Sequence, residues 1–214
     1  MRRSSGVPGR ATATAARRRA ILDAALDGFT AHGFQATTME DIRRRAGAST
    51  GSLYHHFESK EQLAGELYLE GTRRVQESGL AALLRHDDAE RGIRAVVRWY
   101  LAWVARNPKL ASYLIEHRHA EFMASAESAL DRMNHALRDD VMRWIDRHVA
   151  AGELPALGME MYWAILIGPS ELVCRHRVRD GRAREIARFA RDLEDAAWGA
   201  LRAIARRRRS GRRP

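Results

Sequence analysis

A chain of 214 residues that is 45% hydrophobic, with only 16 glycines and five prolines, can bury a substantial core and is too poor in Gly and Pro for an extended disordered protein. No stretch reaches the roughly 18 uninterrupted apolar residues of a membrane span, and the arginine-bearing N-terminus lacks the apolar segment of a secretory signal. Cys174 stands alone, which excludes an internal disulfide and a cysteine-based zinc site and points to a reduced, cytoplasmic compartment.

The formal charge of +10 is unevenly placed. Residues 1–20 hold six arginines and residues 202–214 hold seven, neither with an acid, and the remainder has 24 basic against 27 acidic residues. The tails carry the excess. Residues 1–13 read as a disordered basic arm and 207–214 as a disordered basic tail. Between them no sustained alternation of strands occurs, whereas apolar residues recur at i, i+3, i+4 and i+7, so the chain is expected to be all-α with about nine helices.

The first helix is predicted over Thr14 to His32, with Ile21, Leu22, Ala25, Leu26 and Phe29 on its buried side and Gly33 at its end. Two short helices follow within Thr37 to Lys60. Thr37 is placed to cap the first, with Glu40 three residues on as a capping box requires. Met39, Ile42 and Ala46 form its apolar face while Arg43, Arg44 and Arg45 project outward, and Gly47 suits a left-handed C-cap. Ser49 is the expected N-cap of the second. Leu53 and Phe57, four apart, anchor that helix and leave Thr50, Gly51, Ser52, Tyr54 and His55 facing out. Short hydroxyl residues and a glycine at a helix N-terminus permit close approach to phosphates and base edges. This is the layout of a helix-turn-helix, occupying residues 14–58 together with the first helix.

At these residues the chain resembles the tetracycline-repressor (TetR) family of bacterial regulators. The resemblance rests on Ala46-Gly47, on Leu53-Tyr54-His55-His56-Phe57, on Ser59-Lys60-Glu61, and on the run from Arg19 to Ala25 with Phe29, Gly33 and Phe34. It covers roughly residues 17–70. It implies that Tyr54 and Lys60 hold DNA phosphates, that Thr50, Gly51, Ser52 and His55 meet bases, and that Thr38 meets the backbone; Arg44 joins this candidate DNA-binding set. His56 is read as a structural residue at the helix end. The arginine arm ahead of the motif is either a minor-groove or phosphate contact or a solvated segment, and Arg206 to Arg209 read as a solvated tail with some anion affinity.

Residues 59–206 are expected to form a helical effector-binding and dimerisation domain. Ser59 caps a long helix to about Leu84. Helices then run from Ala89 to Arg106, from Lys109 to about Met123, from Ser125 to Ala151, from Glu160 to about Arg177 and from Arg182 to Arg206, separated at Asn107-Pro108, Leu154 to Gly158 and Asp180-Gly181. Large side chains suggest a small-molecule pocket made from Trp99, Trp103, Tyr113, His117, Phe122, Met133, Leu137, Val141, Trp144, Tyr162, Trp163 and Leu166. Aromatic and methionine stripes at helical spacing also serve as plain core. On the last helix Ile186, Phe189, Leu193, Ala197, Leu201 and Ile204, with the small Ala200 beside them, make the expected dimer interface; the resemblance implies pairing of the last two helices between subunits.

Catalysis is not expected. His117 and His119 are two apart, not at the spacing of a helical metal pair, and neither a nucleophile elbow, a phosphate loop nor a dinucleotide fingerprint is found. No cofactor or metal is expected. The reading is therefore a TetR-type transcriptional regulator, by default a repressor, that binds a palindromic double-stranded operator as a homodimer and is released by a small-molecule effector. A basic architectural DNA-binding protein without ligand control is the alternative.

Overall fold

In the computed structural model, residues 10–118 and 120–210 are described, and all their regular structure is helical. Among them are ten α-helices: α1 (Arg10–Ala36), α2 (Met39–Arg45), α3 (Thr50–His56), α4 (Lys60–Leu84), α5 (Ala89–Arg106), α6 (Pro108–Glu116), α7 (Glu127–Ala150), α8 (Met159–Leu166), α9 (Gly168–Arg179) and α10 (Ala190–Ser210). Two 3-10 segments, Glu121–Ser125 and Ala183–Phe189, complete the order. Residues 1–9 of the expected arm and 211–214 of the expected tail lie outside the described residues. Arg10 is already helical, so α1 begins ahead of the expected Thr14, and α10 continues to Ser210, so residues 207–210 are helical where a disordered tail was expected.

Three further boundaries differ from the sequence reading, each for a local reason. The helix expected from Glu160 to Arg177 is two helices, because Pro169 in the first turn of α9 has no N–H to continue the ladder of α8. The helix expected to reach Met123 stops at Glu116, and Phe122 and Met123 are instead buried from a 3-10 turn. The last helix opens as 3-10 and becomes α-helical only from Ala190.

The chain forms two compact units, which divide within α4 at Glu70 and Gly71. The first takes the residues up to Glu70 and also Glu116–Glu127; the second takes Gly71–Ile115 and the residues from Ser128 onward. In the first, Ile21, Leu22, Ala25 and Phe29 of α1 are buried with Ile42, Leu53, Phe57, Leu63 and Leu67. Phe122 joins that core: its ring centroid is 4.8 Å from Phe34 and 5.7 Å from His117.

In the second unit α5 is the central helix, burying Ile93, Val97, Leu101 and Val104. Against it pack α10 and the preceding 3-10 segment, whose Ile186, Ala197 and Leu201 are almost wholly buried. Ion pairs join the same two helices: Arg98 holds Glu194, itself only 4% exposed, and Arg94 holds Asp195. Among the described residues no helix is long and apolar enough to cross a membrane.

Candidate nucleic-acid interface

The second helix of the pair, α3, is built to stand on its neighbours and show a polar face. Ser49 caps it, its side chain accepting from the Ser52 N–H at 3.2 Å. Leu53 and Phe57 are each 1% exposed and fix it to the core. Thr50, Gly51, Tyr54 and His55 are exposed, and Ser52 is half-buried. Tyr54 presents a large ring to solvent, about half of it accessible. Nothing lies within 4 Å of a Cβ placed on Gly51, so packing in the protein does not demand glycine there.

The preceding helix is capped one residue later than expected. Thr38, not Thr37, is the N-cap of α2, and the capping box closes through Asp41, not Glu40. The Asp41 N–H donates to Thr38 Oγ1 at 3.1 Å, and the Asp41 carboxylate accepts from the Thr38 N–H at 3.2 Å and hydroxyl at 2.6 Å. Thr37 is buried and its hydroxyl donates to the Gly33 carbonyl at 2.8 Å, which occupies it at the end of α1. Gly47 has φ 59°, the left-handed conformation its position demanded.

Electrostatics around the turn are tightly paired. Hydrogen bonds from Thr38 and Arg44 hold the Asp41 carboxyl below the usual range, and the Arg43 hydrogen bond does the same for Glu40. Arg44 reaches Asp41 at 2.5 Å yet keeps two-thirds of its side chain exposed. Burial, then the charges of His55 and Arg18, lowers the His56 pKa, as suits a structural residue at the helix end. Lys60 is more engaged than expected of a phosphate ligand. Its Nζ donates to the Phe34 and Gln35 carbonyls at 2.9 and 3.3 Å and lies 4.4 Å from the Phe34 ring centroid. An ammonium has three donors, so one remains.

Two residues missed by the sequence reading brace this unit. Arg17 donates to the Gly47 carbonyl at 3.1 Å, tying α1 to the turn. Arg18 pairs with Glu66 at 2.8 Å and stacks over Phe57 at 5.5 Å. Both fall at the start of the predicted first helix, among the arginines of the first 20 residues; no local pattern marks a helical arginine as a brace.

The twelve candidate pocket residues are shared between the two units. His117 and Phe122 belong to the first unit, the other ten to the second. Trp144 is 1% exposed, donates its Nε1–H to the His86 carbonyl at 3.1 Å and has the tilted His148 ring 4.1 Å from its own, centroid to centroid. Tyr162 is buried with its hydroxyl on the Pro155 carbonyl at 2.7 Å, and Tyr113 is fully buried. Trp103 and Leu166 are nearly buried, Trp99, Met133, Leu137 and Val141 half-buried, and Trp163 is 46% exposed. A cleft in this unit, about 580 Å³, is lined by Asp88, Glu90, Glu153, Trp198, Arg202 and Arg206 among others, and by none of these twelve. Of the expected dimer residues, Ile186, Ala197 and Leu201 are spent inside the protomer, while Phe189, Leu193, Ala200 and Ile204 are half-buried. Among the described residues no group of three or more His, Cys, Asp or Glu side chains is placed to hold a metal.

Residues 21–67 match the sequence model of bacterial regulatory proteins of the tetR family. The chain is 33% identical over 165 residues to the HTH-type transcriptional regulator RutR of Escherichia coli, a match covering 72% of this chain and 74% of that protein. It is 49% identical over 51 residues to the HTH-type transcriptional repressor KstR2 of Rhodococcus jostii, covering 24% of this chain and 25% of that one. The chain spans about a quarter to two-thirds of the length of the first curated relatives it matches. A crystal structure of a TetR family transcription regulator from Marinobacter aquaeolei superposes with a TM-score of 0.74 at 21% identity, covering 89% of this chain and 98% of that one.

Proposed function

From the premise that this chain belongs to the TetR family of bacterial regulators, we propose that it is a transcriptional repressor whose α3 enters the major groove of a palindromic operator. The observation that carries this is α3 itself. A seven-residue helix with Leu53 and Phe57 wholly buried offers Thr50, Gly51, Ser52, Tyr54 and His55 to a partner. Thr50, Ser52 and His55 have the length and hydrogen-bonding groups to read base edges, and Gly51 lets the backbone come close. Tyr54, the remaining donor of Lys60 and the Thr38 end of α2 take phosphates, and Arg44 takes one when it leaves Asp41.

The protein acts as a homodimer. A two-fold axis places two such helices on successive major grooves, which is what a palindrome requires. Met161, Trp163 and Leu172 on α8 and α9 are 48%, 46% and 58% exposed, large apolar groups that a second copy would cover. Leu193, Ala200, Ile204 and Phe189 extend that surface, and the buried Ile186, Ala197 and Leu201 support it from beneath.

A small-molecule effector binds in the second unit, between Trp103, Tyr113 and Leu166 and the half-buried Met133, Leu137 and Val141, and favours a conformation that no longer fits the operator. Such control needs only different affinities for two states. Footprinting on the DNA flanking the gene, repeated with candidate metabolites, tests the whole reading. A palindromic footprint released by one compound is expected. Binding with a steep salt dependence and no sequence preference would replace the repressor by an architectural protein.

A further inference from the structure

The corner between α9 and α10 carries a concentration of positive charge that no DNA-reading residue accounts for. Within residues 175–191 are seven arginines against Asp180 and Glu185, in a chain whose body outside the tails has more acids than bases. Six of the seven, all but Arg177, are exposed. This is not a frayed run. The Gly181 N–H donates to the Val178 carbonyl at 3.0 Å and the Arg182 N–H to the Arg177 carbonyl at 2.7 Å, with Gly181 at φ 70° making the turn. Ala183 and Ile186 are buried and pin the following 3-10 segment to the core.

The guanidinium groups are themselves held. Glu185 sits among three of them: Arg182 at 2.6 Å, Arg188 at 3.4 Å and Arg177 at 3.5 Å. The Phe189 ring has Arg188 at 4.7 Å and Arg177 at 5.4 Å from its centroid. One carboxylate and one aromatic ring therefore organise three cations without neutralising them. The Arg182 hydrogen bond, and then the charges of Arg182, Arg177 and Arg188, also keep the Glu185 carboxyl below the usual range. Arranging like charges side by side costs stability unless an anion relieves them, and fixed guanidinium forks suit phosphate oxygens.

We propose that this arginine corner is a second, sequence-independent contact for double-stranded DNA, engaging backbone phosphates. The inference rests on the DNA-binding reading of α3, because a chain held on an operator meets nearby duplex at high effective concentration. Six exposed guanidinium groups, Arg175 among them paired with Glu171 at 2.9 Å and Arg179 with Asp180 at 3.6 Å, match an extended polyanion better than one small ligand. The corner adds affinity and salt sensitivity and leaves base choice to α3.

The test uses the full chain and a mixed-sequence duplex of about 40 base pairs, with affinity measured across a KCl series. Each lost phosphate contact lowers the magnitude of the slope of log affinity against log salt by about 0.9. The triple variant R179Q/R184Q/R191Q spares the Glu185 cluster and so keeps the corner folded, which a matching thermal melt checks. The magnitude of its slope should drop by about 2.7 and its affinity at 0.15 M KCl by tenfold or more. A control on α7, R138Q/R143Q/R147Q, removes the same charge elsewhere and should leave the slope near that of the parent. An unchanged slope in the corner variant, or an equal fall in both variants, overturns the proposal while footprinting still reports the α3 contact. A parent protein that binds no duplex overturns both.

Discussion

Lys60 Nζ is 2.9 Å from the Phe34 carbonyl oxygen and 4.4 Å from the centroid of the Phe34 ring. A single ammonium therefore closes the end of α1, just past the Gly33 break, onto the first turn of α4. The same group stands where the family resemblance puts a phosphate. Replacing it by glutamine removes a charge-assisted hydrogen bond and a cation–π contact, worth about 1 kcal/mol together at a half-exposed site. Lys60→Gln should lower the denaturant midpoint and also weaken DNA binding about tenfold. Loss of stability with unchanged affinity for DNA would make Lys60 a brace only.

Gly51 gives the cleanest separation between folding and recognition. It lies within α3 with nothing near a would-be Cβ, so alanine should stabilise the helix by roughly 0.5–1 kcal/mol. If α3 enters the groove, the added methyl meets DNA. Gly51→Ala should raise Tm and lower operator affinity in the same preparation. A rise in both would remove Gly51 from the interface.

How much of this was legible in the sequence depends on how local the cause was. Ser49, Leu53 and Phe57 lie within nine residues, and their roles follow from helix geometry alone. The cap of α2 was misplaced by one because Thr37 and Thr38 are chemically alike. What separates them is that Thr37 is committed to the Gly33 carbonyl and buried, which only the packing of α1 decides. The large side chains of the second unit were legible as buried but not as neighbours, since helical spacing does not say which helices meet. Charge misled in another way: balancing the body as a whole concealed the excess at 175–191 behind acids located elsewhere.

The capping box of α2 has a pH signature. Hydrogen bonds from Thr38, then Arg44, depress the Asp41 pKa. A depressed carboxyl contributes stability that is present above its unfolded value, about 3.9, and is lost as pH falls through the lower folded value. Thr38→Ala should therefore cost several degrees of Tm at pH 7 and less as pH falls below about 4. The gap should narrow without closing, because the Asp41 N–H bond to Thr38 Oγ1 does not titrate. A gap equally wide at pH 3 and pH 7 would assign the whole effect to that bond.

Gly92 records how closely α5 and α7 approach in the second unit. A Cβ there would overlap the Trp144 ring and touch Leu83 Cδ1 at 3.5 Å. Trp144 cannot yield easily, since its Nε1–H is committed to the His86 carbonyl. Overpacking of this kind costs about 1–3 kcal/mol. Gly92→Ala should show that loss in urea unfolding, and much of it should be recovered in a Trp144→Leu background, where the ring is gone. Full additivity of the two substitutions would mean that the strain lies elsewhere.

Trp163 and Leu172 decide whether the exposed apolar surface of α8 and α9 is an interface. Both are exposed in the protomer, Trp163 at 46% and Leu172 at 58%, so a charge introduced there still reaches water and disturbs intramolecular packing far less than one placed in the core. Burying that charge against a second copy would instead leave it unpaired, at several kcal/mol. Trp163→Glu combined with Leu172→Glu should thus leave the melting of the isolated fold near that of the parent and shift sedimentation from dimer to monomer at micromolar concentration. Operator affinity should fall with it, because one α3 reads only half a palindrome. An Ile186→Glu variant makes the contrast: Ile186 is fully buried against α5, and its loss should unfold the second unit outright. If the double glutamate protein remains a dimer, the two-fold contact lies on another face, and the half-buried Leu193 and Ile204 of α10 become the next residues to charge.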